Sequence, residues 1–487
     1  MAGNTQNAAT TISSFDSTST IPLFLNGAQI TTPRSFDVVS PIDGRVLYKC
    51  SSASEEDAAA AVAGAQNAFI SWSKTKPAYR RDIFLRAAQI FEERKKELAS
   101  YSHAETGALE MMVAHECNIA IEACMSIAGL IQAVQGSIPS SQMDGTTALI
   151  LREPYGVVLG IAPWNAPYTL GTRACISALA MGNTVILKGP ELAPATYWAI
   201  ADVLHSAGLP AGCLNTIYHR SEDAASVTTA LISHPLVKKI NFTGSTKVGA
   251  IIASLAGKHL KPVLLELGGK APAIICEHAD IDNAASHCVM GAFVHGGQVC
   301  MSTERIIVHA NVAVQFKEKL KAAIDNRFAG KATLINNASV RKNELLVKDA
   351  LEKGATTVYG DANAIDNSCT TLSPIVLSDI QKGMDIYYNE SFGPTVSLFT
   401  VESEEEALEL ANDTEYGLTS AIFTEDLRQA IRLARGLETG AVHINSMTIH
   451  DEAGLPHGGA KKSGYGRFNT LNGLEEWVRT KSVTWKD

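Results

Sequence analysis

The chain has 487 residues and a formal net charge of -9, with 46% hydrophobic and 19% charged residues. That length exceeds one ordinary core, so two or three domains are expected, and the acidic balance without a long Lys/Arg run excludes a nucleic-acid partner. No apolar run approaches the roughly eighteen residues of a membrane span, which leaves a soluble globular protein with no membrane partner.

The first basic residue is Arg34, and the preceding stretch is rich in Ser, Thr, Asn and Ala. Lacking the features of a transit or signal peptide, residues 1–21 read as a disordered N-terminal segment of a cytoplasmic protein. The 9 cysteines include no C-x-x-C pair, which fits reduced thiols. Over 79–98, Ile83, Ala87, Ile90, Phe91 and Leu98 recur at helical spacing and predict one long amphipathic helix. Residues 137–153 carry a turn signal, Met143-Asp144-Gly145-Thr146, between strand formers, and predict a hairpin arm.

Apolar runs at 156–161, 184–187 and 239–242 read as buried parallel strands separated by helices, the signature of a βαβ sheet. A second alternating series, at 273–276, 306–308, 375–377 and 441–444, predicts a second α/β domain. The segment 477–485 reads as a terminal strand in need of a partner edge.

Chemistry concentrates in a few motifs. Glu266 lies in Leu264-Leu265-Glu266-Leu267-Gly268-Gly269-Lys270, and Cys300 closes Gly297-Gln298-Val299-Cys300. A free cysteine, with a pKa of about 8.5, is only a few per cent thiolate at neutral pH, so a carboxylate in reach could activate it or a later water. Partial burial is expected to raise the Glu266 carboxyl towards neutrality. Asn165, in Pro163-Trp164-Asn165-Ala166-Pro167, offers a neutral amide donor to an oxyanion, or serves as a turn residue between prolines. No G-x-G-x-x-G fingerprint follows a strand; Gly244-Ser245 does, and its helix start suits either a pyrophosphate or an ordinary N-cap. Lys188 and Glu191 fall at the carboxyl edge of the same sheet, where open α/β sheets bind ligands. No His/Cys/Asp cluster has zinc-ligand spacing, so no metal is assigned.

Together with Glu390-Ser391-Phe392-Gly393-Pro394 and the late run from Pro456 to Gly464, these motifs resemble the aldehyde dehydrogenase superfamily in order and spacing. The resemblance covers nearly the whole chain after the first twenty residues, and over that length is greatest to the salicylaldehyde and vanillin dehydrogenase branch. It implies an α/β fold with a Rossmann-type NAD-binding domain over 22–131 and 155–268 and a second α/β catalytic domain over 269–465. An oligomerisation arm over 132–154 and 474–487 would reach a neighbouring subunit in a homodimer or tetramer.

By the same resemblance, Cys300 forms a thiohemiacetal and then a thioester, Asn165 meets the oxyanion, and Glu266 directs hydrolysis to the free acid. Ile161, Pro163, Trp164, Lys188, Glu191, Gly244, Ser245, Gly268, Glu390 and Phe392 match cofactor contacts. Glu191 would accept hydrogen bonds from a ribose diol and repel a 2′-phosphate, which favours NAD. Ala166, Leu170, Arg173, Val294, Val299, Met301, Asp451 and His457 match the substrate tunnel. An arginine and a histidine there favour a polar aldehyde, either a hydroxybenzaldehyde or a carboxylated semialdehyde bound by Arg173. Two other readings stand beside these: Arg173 paired structurally with Asp451, and a non-catalytic protein that keeps the fold.

Overall fold

The computed structural model describes residues 15–363, 365–366 and 368–486 and is organised by two large sheets. The 8-stranded sheet runs, from one edge, Gly464–Tyr465, Val263–Glu266, Val237–Thr243, Val157–Ile161, Thr184–Lys188, Leu214–Ile217, Leu23–Leu25 and Ala28–Ile30. Its strands from Val263–Glu266 to Leu214–Ile217 are parallel. Helices cover both faces, which explains why a strand such as Val157–Ile161 is buried at every position instead of alternating. The helix Pro167–Ala180 is likewise buried along its whole length, with proline at its first turn, and so presents residues inward on every side.

The 7-stranded sheet runs Thr356–Tyr359, Ile375–Ser378, Thr395–Val401, Thr303–His309, Ala271–Ile275, Thr419–Phe423 and Ala441–Ile444. Only Leu267 to Lys270 separate the strand ending at Glu266 from the interior strand of this sheet beginning at Ala271. This crossing needs its glycines. A Cβ on Gly269 would stand 2.2 Å from the Cys300 carbonyl oxygen, and one on Gly268 would stand 2.7 Å from the Glu390 carboxylate.

Four sequence expectations are adjusted, two of them only in part. The helix over 79–98 divides into Pro77–Glu93 and Lys95–Thr106 at Arg94, whose guanidinium pairs with Glu97 at 2.8 Å and Asp202 at 2.6 Å. The apolar spacing looked continuous because Phe91 and Leu98 both face the core across the bend. The hairpin over 137–153 forms only as a single bridge, Ser137 exchanging backbone hydrogen bonds with Ile150 at 3.1 and 2.8 Å around the 143–146 turn, while the long antiparallel partner of Thr146–Pro154 is the terminal strand Val478–Lys486 of the same chain. Of the expected disordered segment, residues 1–14 lie outside the described residues, while Thr20–Ile21 pairs with Lys49–Cys50 and the Phe15 ring sits 4.7 Å from that of Trp198. Finally, Gly464–Tyr465 belongs to the first sheet, with Phe468, Leu474 and Trp477 in that core, so the chain has returned from the second sheet before position 465. That return lays the late glycine-rich run against Glu266, with Gly464 opposite Glu266 in register. No helix among the described residues is long and apolar enough to cross a membrane.

Candidate active site

Cys300 follows a turn, Val294–Gly297, in which His295 and Gly296 take left-handed backbone angles (φ 52° and 63°). The buried Gln298 pins this turn. Its Nε2 donates to the His295 carbonyl at 3.0 Å and the Thr333 carbonyl at 3.2 Å, while its Oε1 accepts from the Ile335 N–H at 2.9 Å. The Gln298 carbonyl accepts from Asn165 Nδ2 at 3.0 Å, so one amide hydrogen fixes Asn165 and the other is left for a ligand.

The Cys300 thiol lies 3.6 Å from Glu266 Oε1 as a donor. Burial raises its pKa well above the usual thiol range, the negative charges of Glu266 and Glu390 raise it further, and Arg173 opposes them. The resting sulfur is therefore protonated, with a carboxylate positioned to receive the proton.

Glu266 belongs to a buried cluster. His457 Nε2 is 3.1 Å from its Oε1, Arg173 Nη1 is 3.5 Å from its Oε2, and the Thr243 hydroxyl donates to Oε2 at 3.3 Å. Arg173 also binds Asp451, which accepts from Asn469 Nδ2 at 2.9 Å and lies 3.8 Å from His457 Nδ1. The expected rise of the Glu266 pKa is corrected. Burial pushes it up, but His457, by charge and hydrogen bond, and then Arg173 outweigh burial, and the carboxyl is held below its ordinary value.

Asn165, Leu170, Glu266 and Cys300 line the junction of two cavities. The smaller, about 240 Å³, is also lined by the expected cofactor residues Pro163, Trp164, Gly244, Ser245, Gly268, Glu390 and Phe392. Ser245 caps the helix Thr246–Lys258, its Oγ accepting from the Val248 N–H, so the N-cap and the exposed helix start coexist. Glu390 accepts from the Gly269 N–H at 2.9 Å and is pushed up to about 7, chiefly by burial. Phe392 has φ 48° and stands edge-on to Trp164 at 6.0 Å. Outside this cavity, Ile161 and Lys188 are paired in register at the carboxyl ends of adjacent strands. Glu191 accepts from the Ser221 hydroxyl at 3.3 Å and lines a separate surface groove.

The larger cavity, about 510 Å³, is lined by the expected Ala166, Arg173, Val294, Val299, Met301 and Asp451. His457 is not in its lining; the ring faces the Glu266 and Asp451 carboxylates at 3.1 and 3.8 Å.

Sequence reasoning missed several residues. Glu304 accepts from the Ser391 N–H at 2.8 Å, the Phe392 N–H at 3.1 Å and Lys270 Nζ at 2.7 Å, so it fixes the strained Glu390–Phe392 turn. A lysine and a glutamate beside apolar strand runs were the available signal. Met111, Met112, Met290 and Met447 join Met301 in the larger cavity, with Glu116 and Thr169 also in its lining. Among the described residues, Glu116 Oε1 and Thr169 Oγ1 are buried without hydrogen-bond partners. No group of three or more His, Cys, Asp or Glu able to hold a metal occurs among them.

The family model described as "Aldehyde dehydrogenase family" matches residues 29–483. The chain belongs to this family. The aldehyde dehydrogenase is 42% identical over 474 residues to a vanillin dehydrogenase of Pseudomonas sp. (strain HR199 / DSM 7063), covering 95% of this chain and 97% of that one. Its structure matches that of a salicylaldehyde dehydrogenase from Pseudomonas putida G7 complexed with salicylaldehyde, with a TM-score of 0.93 and 34% identity over 96% and 98% of the two chains. An E. coli NADP-dependent enzyme matches with a TM-score of 0.92 and 30% identity over 97% and 98%, so the aldehyde dehydrogenase fold by itself does not select the cofactor.

Proposed function

We propose that this aldehyde dehydrogenase oxidises a hydroxylated aromatic aldehyde, such as salicylaldehyde, to its acid with NAD, as a cytoplasmic homo-oligomer. The observation that carries the substrate reading is the cavity beyond Cys300. Its methionines favour an aromatic ring, because a thioether at a ring edge contributes about 0.3–1.5 kcal/mol. Glu116 Oε1 and Thr169 Oγ1 supply polar atoms for a ring substituent. Burial holds the Glu116 carboxyl well above its usual range while its Oε2 accepts from the Tyr168 N–H, which favours the protonated form that can donate. The similarity to vanillin and salicylaldehyde dehydrogenases points the same way. A carboxylated semialdehyde is less well served, since the Arg173 guanidinium already faces Asp451 and Glu266.

In this reading Glu266 takes the Cys300 proton, and the sulfur forms a bond to the aldehyde carbon as the carbonyl pair moves to oxygen. Asn165 Nδ2–H and the Cys300 N–H meet that oxyanion. NAD, when bound, would supply the acceptor for the hydride that leaves as the carbonyl reforms. Once Glu266 has passed the Cys300 proton to solvent, water attacks the thioester, its proton goes to Glu266, and the thiolate leaves. Ser245 and the helix start would hold the pyrophosphate, Lys188 and Glu191 the adenosine ribose, and Glu390 and Phe392 the nicotinamide end. The domains follow the two sheets, with the cofactor on the first, and the sheet of Thr146–Pro154 and Val478–Lys486 offers an edge for subunit assembly.

Two outcomes test this reading. NAD should exceed NADP in kcat/KM by at least about tenfold, a difference of roughly 1.4 kcal/mol. Equal use of both cofactors would remove Glu191 from the ribose site. Thr169→Val should lower kcat/KM for salicylaldehyde relative to benzaldehyde by about three- to tenfold, the loss of one neutral hydrogen bond. Equal losses on the two aldehydes would detach Thr169 from the hydroxyl, and faster turnover of succinic semialdehyde than of either would overturn the substrate class.

A further inference from the structure

We infer that His457 is a positioning residue, the middle member of a buried Asp451–His457–Glu266 chain that aims the Glu266 carboxylate at Cys300. This deepens the proposed function and rests on its reading of Glu266 as the base for thioester hydrolysis.

The geometry is specific. His457 is anchored by its backbone: its N–H donates to the Phe468 carbonyl at 3.0 Å, and its carbonyl accepts from the Phe468 N–H at 2.7 Å. From that fixed point the ring turns Nε2 to Glu266 at 3.1 Å and Nδ1 towards Asp451 at 3.8 Å. An ionised carboxylate only accepts, so the Glu266 contact is one donated by Nε2–H, while Nδ1 at 3.8 Å faces Asp451 without a direct hydrogen bond. The other groups around Glu266 are Arg173 on the helix Pro167–Ala180, the Thr243 hydroxyl at a strand end, and the Cys300 thiol. Arg173 and His457 thus face Glu266 and Asp451, all four side chains being at most 7% exposed, so each buried carboxylate has a donor group against it.

Function gives this arrangement a purpose. A base buried beside a thiol would otherwise be protonated by desolvation, and a freely rotating carboxylate would seldom face the attacking water. His457 opposes both tendencies through one contact. Arg173 alone, at 3.5 Å from the other oxygen, fixes neither the rotation nor the full charge.

The test compares His457→Phe, which fills similar space without a donor, with His457→Gln, which keeps a donor without a charge. With NAD and salicylaldehyde, the Phe variant should retain a burst of NADH near one per site while steady-state kcat falls about tenfold at neutral pH, the scale of one lost general-base alignment. Removing the opposite charge should also move the acid limb of its kcat profile upward by about 1–3 pH units. The Gln variant should recover most of the rate at high pH and keep the shifted limb. Melting curves establish that both variants fold, and if the Phe variant does not, the Gln profile decides. Burst and steady state reduced together, with an acid limb coincident with the parent, would overturn the inference. Glu266→Gln is the control: a stalled thioester there, with an unshifted His457 profile, defeats this inference alone, whereas an unimpaired Glu266→Gln enzyme defeats the base reading itself.

Discussion

Replacing Cys300 by alanine is expected to lower aldehyde oxidation by a factor on the order of 10⁴ or more, as loss of a covalent nucleophile does in other enzymes. The oxyanion donors and both cavities would remain, yet nothing would make the aldehyde carbon tetrahedral before hydride leaves. NAD affinity, followed by fluorescence titration, should stay within about threefold, because the thiol is assigned no cofactor contact. Residual turnover within tenfold of the parent enzyme would remove Cys300 from the reaction.

Glu266→Gln should separate the two halves of the reaction. Hydrolysis without its base should slow by roughly 10²–10⁴-fold. Acylation should proceed further than hydrolysis, since a thiol can also lose its proton to water. Stopped-flow absorbance should then show one rapid equivalent of NADH per site followed by a slow phase. The substitution leaves Arg173 and Asp451 paired, so folding should be retained, and the His457 ring keeps an acceptor in the glutamine oxygen. Loss of the burst itself would mean that Glu266 is needed first to activate the thiol; an unaffected steady state would leave it structural.

Much of this molecule was legible in its sequence because buried strands and glycine-dependent crossings leave local marks. The runs at 156–161 and 184–187 are apolar because both sheet faces are covered, and Gly268-Gly269 is demanded by the close approach of Cys300 and Glu390. Ordered motifs brought Asn165, Glu266 and Cys300 together on paper, and the structure puts them at one cavity junction.

What escaped depends on contacts between distant segments. Thr146–Pro154 finds its long partner strand more than three hundred positions later, so the local turn signal revealed only its short bridge to Ser137. Arg94 bends a helix through Asp202, which no periodicity encodes. The sign of the Glu266 shift was misjudged for the same reason: burial was foreseeable, whereas the balancing charges come from Arg173 and His457, on separate segments. Arg173 and His457 read as tunnel residues because their positions along the chain were right. Their neighbours, Asp451 and Glu266, turn them towards the base.

The most direct test of the account traps the covalent intermediate. Glu266→Gln enzyme mixed with NAD and salicylaldehyde, quenched in acid after the burst and digested, should carry a hydroxybenzoyl group on the peptide containing Cys300, in an amount matching the NADH formed. NADH formed with no acyl group on any peptide, or an acyl group on another of the cysteines, would contradict catalysis through a Cys300 thioester.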